Sequence, residues 1–343
     1  MSLLAALEKQ GHEQVIAFRD GRSGLRGFLA IHSTALGPAF GGVRIMAYRR
    51  EEDALADALR LSRGMTYKCA LPELPAGGGK AVILDHARLA RKEAFEAYGR
   101  LVESLGGRFF TGGDVGIRPA DLACVRRTTS YVACESSHAL GDINQHTALG
   151  VWHALRGCLE FIGMKPAGAR IAIQGVGNVG AWLARILARE GCVLVVADRD
   201  LDLARRVADA VGARVVPAAR LLATECDVLA PCALGGVLNA RTIPALRCRI
   251  VCGAANNQLA TPADGDRLAR RGILYAPDYL ANVGGVLRGV EFYLLGKKDS
   301  RESLERQRDR MLGIAREAAA ARRSTARVAD AMAEARLVNA GRD

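Results

Sequence analysis

The rhythm of apolar and polar positions changes twice along the chain. Residues 12 to 50 read as short strands, HEQVIAFRD (12–20) and then LRGFLAIHS (25–33), with Gly21 to Gly24 as the turn between them. From Glu51 to Met65 the period becomes helical: Leu55, Leu59, Ser62 and Met65 recur on one face, and Glu51, Glu52 and Asp53 occupy the first turn, where the helix dipole favours negative charge. This helix delivers Lys68 at its end and is followed by a strand, Ala81 to Leu84. A second helix, Lys92 to Leu105, leads through Gly106 and Gly107 into RFFTGGDVG (108–116). After a helix-like segment, Trp152 to Phe161, short apolar runs appear at Ile171–Ile173, Val193–Ala197, Val215–Val216, Val228–Ala230, Ile250–Cys252 and Ile273–Tyr275. Runs without alternation, separated by helical or loop segments, indicate a parallel sheet covered on both faces.

The first of those runs leads straight into Gly175, Val176, Gly177, Asn178, Val179 and Gly180, then into a helix with Val179, Leu183, Ile186 and Leu187 on one face. The next strand ends at Asp198, 23 residues after the first glycine. Three glycines alone would be a weak signal. Strand, fingerprint, helix, strand and terminal acid together specify a dinucleotide site, because each part does something different. The first glycine makes the tight turn, the helix N-terminus receives the pyrophosphate, the last glycine allows helix-to-sheet contact, and the carboxylate binds the ribose hydroxyls. Asp198 points to NAD, since it would repel a 2′-phosphate, while Arg199 leaves room for NADP. Ligands of such sheets bind beyond the carboxyl ends of the strands. Here those ends are PCALGG (231–236, with Ala233), GAANNQ (253–258, with Ala254 and Asn256) and PDYLANVGG (277–285, with Asn282). Asn256 and Asn282 offer neutral hydrogen bonds to a carboxamide or carboxylate, or serve as turn asparagines.

The stretch Gly64 to Lys80, GMTYKCALPELPAGGGK, carries Lys68 and Lys80. Of 48 basic residues only seven are lysines (9, 68, 80, 92, 165, 297 and 298), so a lysine kept in an apolar, glycine-rich run is a candidate for work arginine cannot do. That work is proton transfer, because burial and a neighbouring cation can bring an ammonium to titrate near neutrality and cannot do so for a guanidinium. Gly77, Gly78 and Gly79 are expected to let the backbone approach a small ligand and to take positive φ beside Lys80. The plainer alternative is a glycine-rich turn and a surface lysine. Asp114 follows a short apolar strand and two glycines, a setting for a carboxylate aimed into a cleft or for a turn aspartate.

At 343 residues the chain has room for two domains with proper cores. No run approaches the ~18 apolar residues that span a bilayer, and the start, MSLLAALEKQ, lacks the features of an export signal. Nine cysteines without paired C-x-x-C spacing fit reduced thiols in a cytoplasm, and no metal-ligand pattern stands out. A net charge of +12 could suggest nucleic acid, but the arginines are spread out, densest at Arg301–Arg323 on a terminal helix, and aromatic residues are too few to form stacking platforms. A basic surface that attracts acidic metabolites is the preferred reading, without a nucleic-acid or membrane partner.

Taken together, GPAFGG, GMTYK, GGGKA, TGGDVG, QGVGNVG, APCALGG, GAANNQL and YAPDYLANVGG resemble, in the same order along essentially the whole chain, the NAD-dependent leucine, phenylalanine, valine and tryptophan dehydrogenases of the Glu/Leu/Phe/Val dehydrogenase family. The resemblance implies a two-domain α/β fold. An N-terminal substrate and dimerisation domain (1–138, completed by a returning helix, 323–343) would precede a Rossmann NAD-binding domain (139–322), with the active site in the cleft between them, in a homo-oligomer. It further implies that Lys80 is the catalytic base and that Lys68 binds the substrate carboxylate. Asp114 would handle protons at the amino or imino nitrogen, Gly41 and Asn282 would help hold the amino acid, and Thr147 and Asn256 would orient the nicotinamide. On this reading the cation that lowers the Lys80 pKa is Lys68.

By the same resemblance the side-chain pocket is lined near Phe40, Gly112, Val286 and Gly289. The two glycines suggest extra room and Phe40 an aromatic wall, which favours phenylalanine or tryptophan over leucine or valine. Three positions depart from the family pattern. They are Gly113, the stretch Asp142 to His146 ahead of Thr147, and Arg288, which would add positive charge near the substrate and could serve an N-acyl amino acid. A 2-hydroxy-acid dehydrogenase is the competing enzyme, although none of the six histidines stands in a catalytic setting; a nucleotide-sensing or nucleic-acid-binding protein is the competing non-enzyme.

Overall fold

The computed structural model describes residues 3–133 and 140–340; the boundary expected at 138 lies outside the described residues. The chain forms two compact units, one of Met1–Gly141, Gly289–Gly296 and Glu334–Asp343, the other of Asp142–Arg288 and Lys297–Ala333.

The first unit opens with α1 (Leu3–Gln10), β1 (Gln14–Asp20), β2 (Leu25–Ser33), β3 (Ala39–Phe40) and β4 (Val43–Met46). It continues with α2 (Glu51–Ala70), β5 (Gly77–Leu84), α3 (Arg91–Ser104), β6 (Phe109–Gly112), α4 (Pro119–Arg126) and β7 (Val132–Ala133). The strands make one mixed sheet in the order β1-β2-β5-β3-β6-β7, with β4 also on β5. β5 pairs antiparallel with β2, and parallel with β3 along its first half and β4 along its second. Every residue of β5 is buried, and its two faces meet different helices. Ala81 and Ile83 join Leu29, Phe109, and Phe95 and Tyr98 of α3; Val82 and Leu84 join Ala54, Ala58 and Leu59 of α2. Because side chains alternate along a strand, Lys80 lies on the α2 face. Each large apolar side chain so covered contributes about 1.5–3 kcal/mol.

α2 continues past the apolar pattern, so that Lys68 lies in its last turn. The periodicity ends early because residues 66 to 70 are all buried, leaving no polar face to mark a period.

The glycines of β5 do something other than expected. None of Gly77, Gly78 and Gly79 has a positive φ. A Cβ on Gly77 would strike the Ser33 carbonyl, one on Gly78 the Thr66 backbone nitrogen, and one on Gly79 would stand 2.7 Å from the Phe109 ring. Their missing side chains therefore admit β2, α2 and a core aromatic, and the expectation of ligand approach and left-handed backbone at these positions is corrected.

The second unit contains α5 (Ile143–Phe161), β8 (Arg170–Gln174), α6 (Asn178–Arg189), β9 (Val193–Ala197), α7 (Leu201–Val211) and β10 (Arg214–Val215). Then follow α8 (Ala218–Leu221), β11 (Val228–Pro231), β12 (Ile250–Val251), α9 (Pro262–Arg270), β13 (Leu274–Tyr275) and α10 (Asp278–Ala281). α11 (Gly284–Leu295), α12 (Arg301–Ala321) and α13 (Thr325–Ala340) complete the chain's helices among the described residues. All six strands are parallel, in the order β10-β9-β8-β11-β12-β13. Renumbered from β8, this is 3-2-1-4-5-6, the doubly wound dinucleotide-binding order, whose direction of winding reverses between β8 and β11. α5 packs on α6 and α12; Gly157 permits the latter contact, since a Cβ there would meet the Arg308 carbonyl. No helix among the described residues is long and apolar enough to cross a membrane. The eight described cysteines are free thiols.

Candidate functional site

In the first unit, β5 and the turn after β6 bring two distant residues together. Lys80 Nζ lies 2.7 Å from Asp114 Oδ2, with side-chain exposures of only 7% and 17%. Burial pushes the Lys80 pKa below its usual value, the nearby Asp114 carboxylate works against that, and the leading cation that adds to the depression is Arg44. The sequence reading names Lys68 as that cation; Arg44 is one the sequence reading misses. For Asp114, burial alone would raise the pKa, but Lys80 and Arg44 together outweigh it and hold the carboxyl at about 2. Lys68 is buried in the last turn of α2, the helix packed on β5.

Arg44 does not stand out in the sequence. Its strand alternates inward Val43 and Ile45, members of the α3-side core, with Arg44 on the opposite side. Arg44 Nε donates to Asp114 Oδ2 at 2.9 Å and Nη1 to Asp57 Oδ2 at 2.9 Å. Asp57 also accepts from Tyr48 at 2.7 Å and Arg60 at 2.6 Å. The one sequence signal is a charged residue inside an otherwise apolar strand, shortly after the glycine pair at 41 and 42.

The residues expected to line the side-chain pocket lie partly against the chain. Phe40 is buried and stacks on Phe110, centroids 5.8 Å apart and rings 12° from parallel. Its ring lies 3.4 Å from where a Cβ on Gly289 would stand, and the corresponding point on Gly112 is 3.2 Å from the Ala133 carbonyl oxygen. A side chain at Gly112 would crowd that carbonyl, whereas a methyl group at Gly289 would make ordinary contact with the Phe40 ring. Gly41 is held by packing, since a Cβ there would strike the Gly79 carbonyl.

In the second unit, β8 passes into Gly175, whose φ of +90° makes the sharp turn. A Cβ on Gly175 would lie 2.8 Å from that of Ala233, and one on Gly180 would strike the Gly175 carbonyl. Gly177 differs, because nothing lies within 4 Å of its added Cβ. It is also the N-cap of α6 and supplies no side-chain cap, so the helix beginning at Asn178 and Val179 starts uncapped beside open space, a setting that suits an anion. The Val176 N–H donates to Asp198 Oδ2 at 2.8 Å, which fixes that carboxylate beside the fingerprint, and Arg199 next to it is exposed. These features fit a bound dinucleotide.

At the strand ends, Asn282 Nδ2 donates to the Ala254 carbonyl at 3.0 Å and to Asn256 Oδ1 at 2.8 Å. Its own Oδ1 is buried without a hydrogen-bond partner, an acceptor of the kind a ligand N–H satisfies. The stretch beginning at Asp142 is the first turn of α5: Asp142 caps the helix through the Asn144 N–H at 2.8 Å and accepts from Trp182 Nε1 at 2.8 Å. Thr147, on the next turn, donates its hydroxyl to the Ile143 carbonyl at 2.8 Å, which leaves its lone pairs as acceptors. Val286 is half-buried on α11. Arg288 is 2% exposed and donates to the Lys297 carbonyl at 2.9 Å. Among the described residues no group of three or more His, Cys, Asp or Glu could hold a metal ion.

Known proteins with the same construction give this geometry its context. Residues 12–131 match the sequence model of the Glu/Leu/Phe/Val dehydrogenase dimerisation domain, and residues 141–202 and 199–332 match that of glutamate/leucine/phenylalanine/valine dehydrogenase. The chain is 40% identical to leucine dehydrogenase of Geobacillus stearothermophilus over 98% of its own length and 94% of the other. It is 44% identical to L-tryptophan dehydrogenase of Nostoc punctiforme over 84% and 82%. The crystal structure of L-tryptophan dehydrogenase from Nostoc punctiforme superposes with a TM-score of 0.85 at 39% identity, covering 99% of this chain and all of the other. With both halves matched in order and a doubly wound sheet behind the fingerprint, the chain belongs to the Glu/Leu/Phe/Val dehydrogenase family of amino-acid dehydrogenases.

Proposed function

We propose that this chain uses NAD to convert an L-amino acid reversibly into its 2-oxo acid and ammonium. The observation that carries the reading is the buried pair of Lys80 and Asp114, 2.7 Å apart. A lysine whose charge is disfavoured, beside a carboxylate that stays ionised, is a proton-transfer centre with its two roles already divided.

The dinucleotide would be held by Gly175, Gly177, Asn178, Val179, Gly180 and Asp198, with Arg199, Ala233 and Ala254 beside it and Thr147 and Asn256 toward the carboxamide. What it supplies when bound is hydride acceptance from the substrate Cα. The chain's own residues do the rest. Lys68 holds the substrate carboxylate, and Asn282 Oδ1 accepts from the amino group. The substrate ammonium gives up one proton to solvent before hydride leaves Cα, and Asp114, ionised at neutral pH, accepts a hydrogen bond from the nitrogen. Neutral Lys80 removes the proton from the water that attacks the iminium carbon, and the resulting carbinolamine breaks down to oxo acid and ammonium. The family model's dimerisation domain supports a homo-oligomer.

The side chain accepted is proposed to be aromatic or bulky, phenylalanine or tryptophan. Support comes from the stacked Phe40 and Phe110 rings and from the likeness to a tryptophan dehydrogenase. A second reading, a branched aliphatic substrate, is favoured by the crowding at Gly112. The test is NADH oxidation with ammonium and 2-oxo acids from 2-oxoisovalerate to indolepyruvate, each repeated without ammonium and with Lys80→Ala. Ammonium-dependent turnover abolished by Lys80→Ala supports the reaction, and the best oxo acid decides the side chain. Turnover that ignores ammonium would instead indicate a 2-hydroxy-acid dehydrogenase.

A further inference from the structure

The charges behind Lys80 form a chain, not an isolated pair. Asp114 Oδ2 receives both Lys80 Nζ at 2.7 Å and Arg44 Nε at 2.9 Å. The far side of the same guanidinium is fixed on Asp57 at 2.9 Å, with side-chain exposures of 12% and 13%. Asp57 is fixed in turn by Tyr48 and by Arg60. Arg44 reaches two carboxylates because its donors form a rigid planar fork, which an ammonium lacks.

We propose that Arg44, anchored by Asp57, is a positioning residue that shares the Asp114 carboxylate with Lys80 and so sets how readily Lys80 releases its proton. The inference rests on the reading of Lys80 as the base. Two cations on one carboxylate oxygen repel each other, and only one can respond by losing a proton, since guanidinium stays charged in proteins. Asp114 alone would hold Lys80 as an ammonium ion. Asp114 shared with Arg44 holds it less firmly.

The groups facing Lys80 come from four directions. β4 supplies Arg44; the turn after β6 supplies Asp114; α2 supplies Asp57 with Arg60 on it, and carries Lys68 in its last turn; and β2 presents only Ala30 opposite Lys80. The direction is consistent: burial lowers the Lys80 pKa, Arg44 adds to the lowering, and Asp114 and Asp57 oppose it. Removing Arg44 and removing Asp57 should therefore move Lys80 in opposite directions, a pattern that loosened packing would not produce.

The experiment is a titration of the full-length protein labelled with 13C at lysine Cε. With seven lysines in the chain the spectrum is sparse, and Lys80→Met identifies the Lys80 signal by its loss. Arg44→Gln should raise the Lys80 midpoint by on the order of one pH unit, and Asp57→Asn should lower it. The limb of the kcat/KM profile governed by the base should shift in the same senses. Shifts of one sign in both variants, or none in either while circular dichroism shows a native fold, would overturn the proposal. Should Arg44→Gln fail to fold, the sign of the Asp57→Asn shift decides alone. If the midpoints move as stated but the wild type has no ammonium-dependent turnover, the proposed reaction fails and the sharing of Asp114 stands.

Discussion

Gly78 of β5 and Thr66 of α2 touch backbone to backbone: a Cβ on Gly78 would collide with both the nitrogen and the hydroxyl of Thr66, and would approach the Ser62 carbonyl at 2.6 Å. Thr66 precedes Lys68 by two residues and Gly78 precedes Lys80 by two. This close approach of helix and strand therefore falls two residues before each of the two lysines.

Gly78→Ala should be among the costliest single-methyl changes in this chain. The collision is with backbone, which cannot swing aside, so α2 must move; the expected loss is roughly 3 kcal/mol or more, read as a lower urea midpoint. An unchanged midpoint would show that α2 stands off the strand.

The fingerprint glycines should separate by role. Gly180→Ala collides with the Gly175 carbonyl and should lower stability, whereas Gly177→Ala meets nothing within 4 Å and should leave the melting temperature within a few degrees of wild type. Yet Gly177→Ala should raise the KM for NADH about tenfold or more, because the methyl group occupies the approach to the α6 N-terminus. Titration of NADH against both variants, with melting curves, checks the contrast.

Acid should weaken the first unit through a buried histidine pair. His12 and His32 meet edge to face at 4.7 Å. His32 bonds Thr66 and the Gln10 carbonyl, while His12 lies against Ser62 and the Leu59 carbonyl. Burial first, then His12, lowers the His32 pKa from 6.5 to about 4. The unfolded chain thus takes up the proton earlier as pH falls, so the stabilisation is whole above pH 6.5 and drains away between 6.5 and about 4, by about 3 kcal/mol at most. Urea midpoints at pH 7 and pH 5 should differ less in His32→Gln than in the wild type.

Phe40→Leu tests the aromatic wall. Losing the stack on Phe110 should cost about 1 kcal/mol of stability. The ratio of kcat/KM for phenylpyruvate over 2-oxoisocaproate should fall roughly tenfold. A ratio that does not fall would favour the aliphatic reading.

How much of the molecule is legible in the sequence depends on whether the determining neighbour is near along the chain. The six strands of the second unit are visible because strands covered on both faces run apolar without interruption, and Val193–Ala197 forms β9 as expected. The start of α5 is not, since its first turn is polar and is fixed by Trp182, 40 residues away from Asp142. β3 and β7, two residues each, carry too little pattern to recognise. Lys80 stands out because lysine is scarce here; Arg44 does not, because arginine is plentiful and its partner Asp114 is 70 positions away. The glycine run is conspicuous but its purpose is not, as sequence cannot say whether a ligand or a helix fills the space beside a glycine.

That glycine run also restricts how the chain can vary. From Gly77 to Gly79 every direction in which a side chain could grow is occupied by a neighbouring strand, helix or aromatic ring. The lysine that follows has its address fixed by three positions that cannot drift one at a time. A lineage descending from this sequence could vary Phe40, Val286 or the strand-end loops, while the placement of Lys80 beside Asp114 would be inherited as a block.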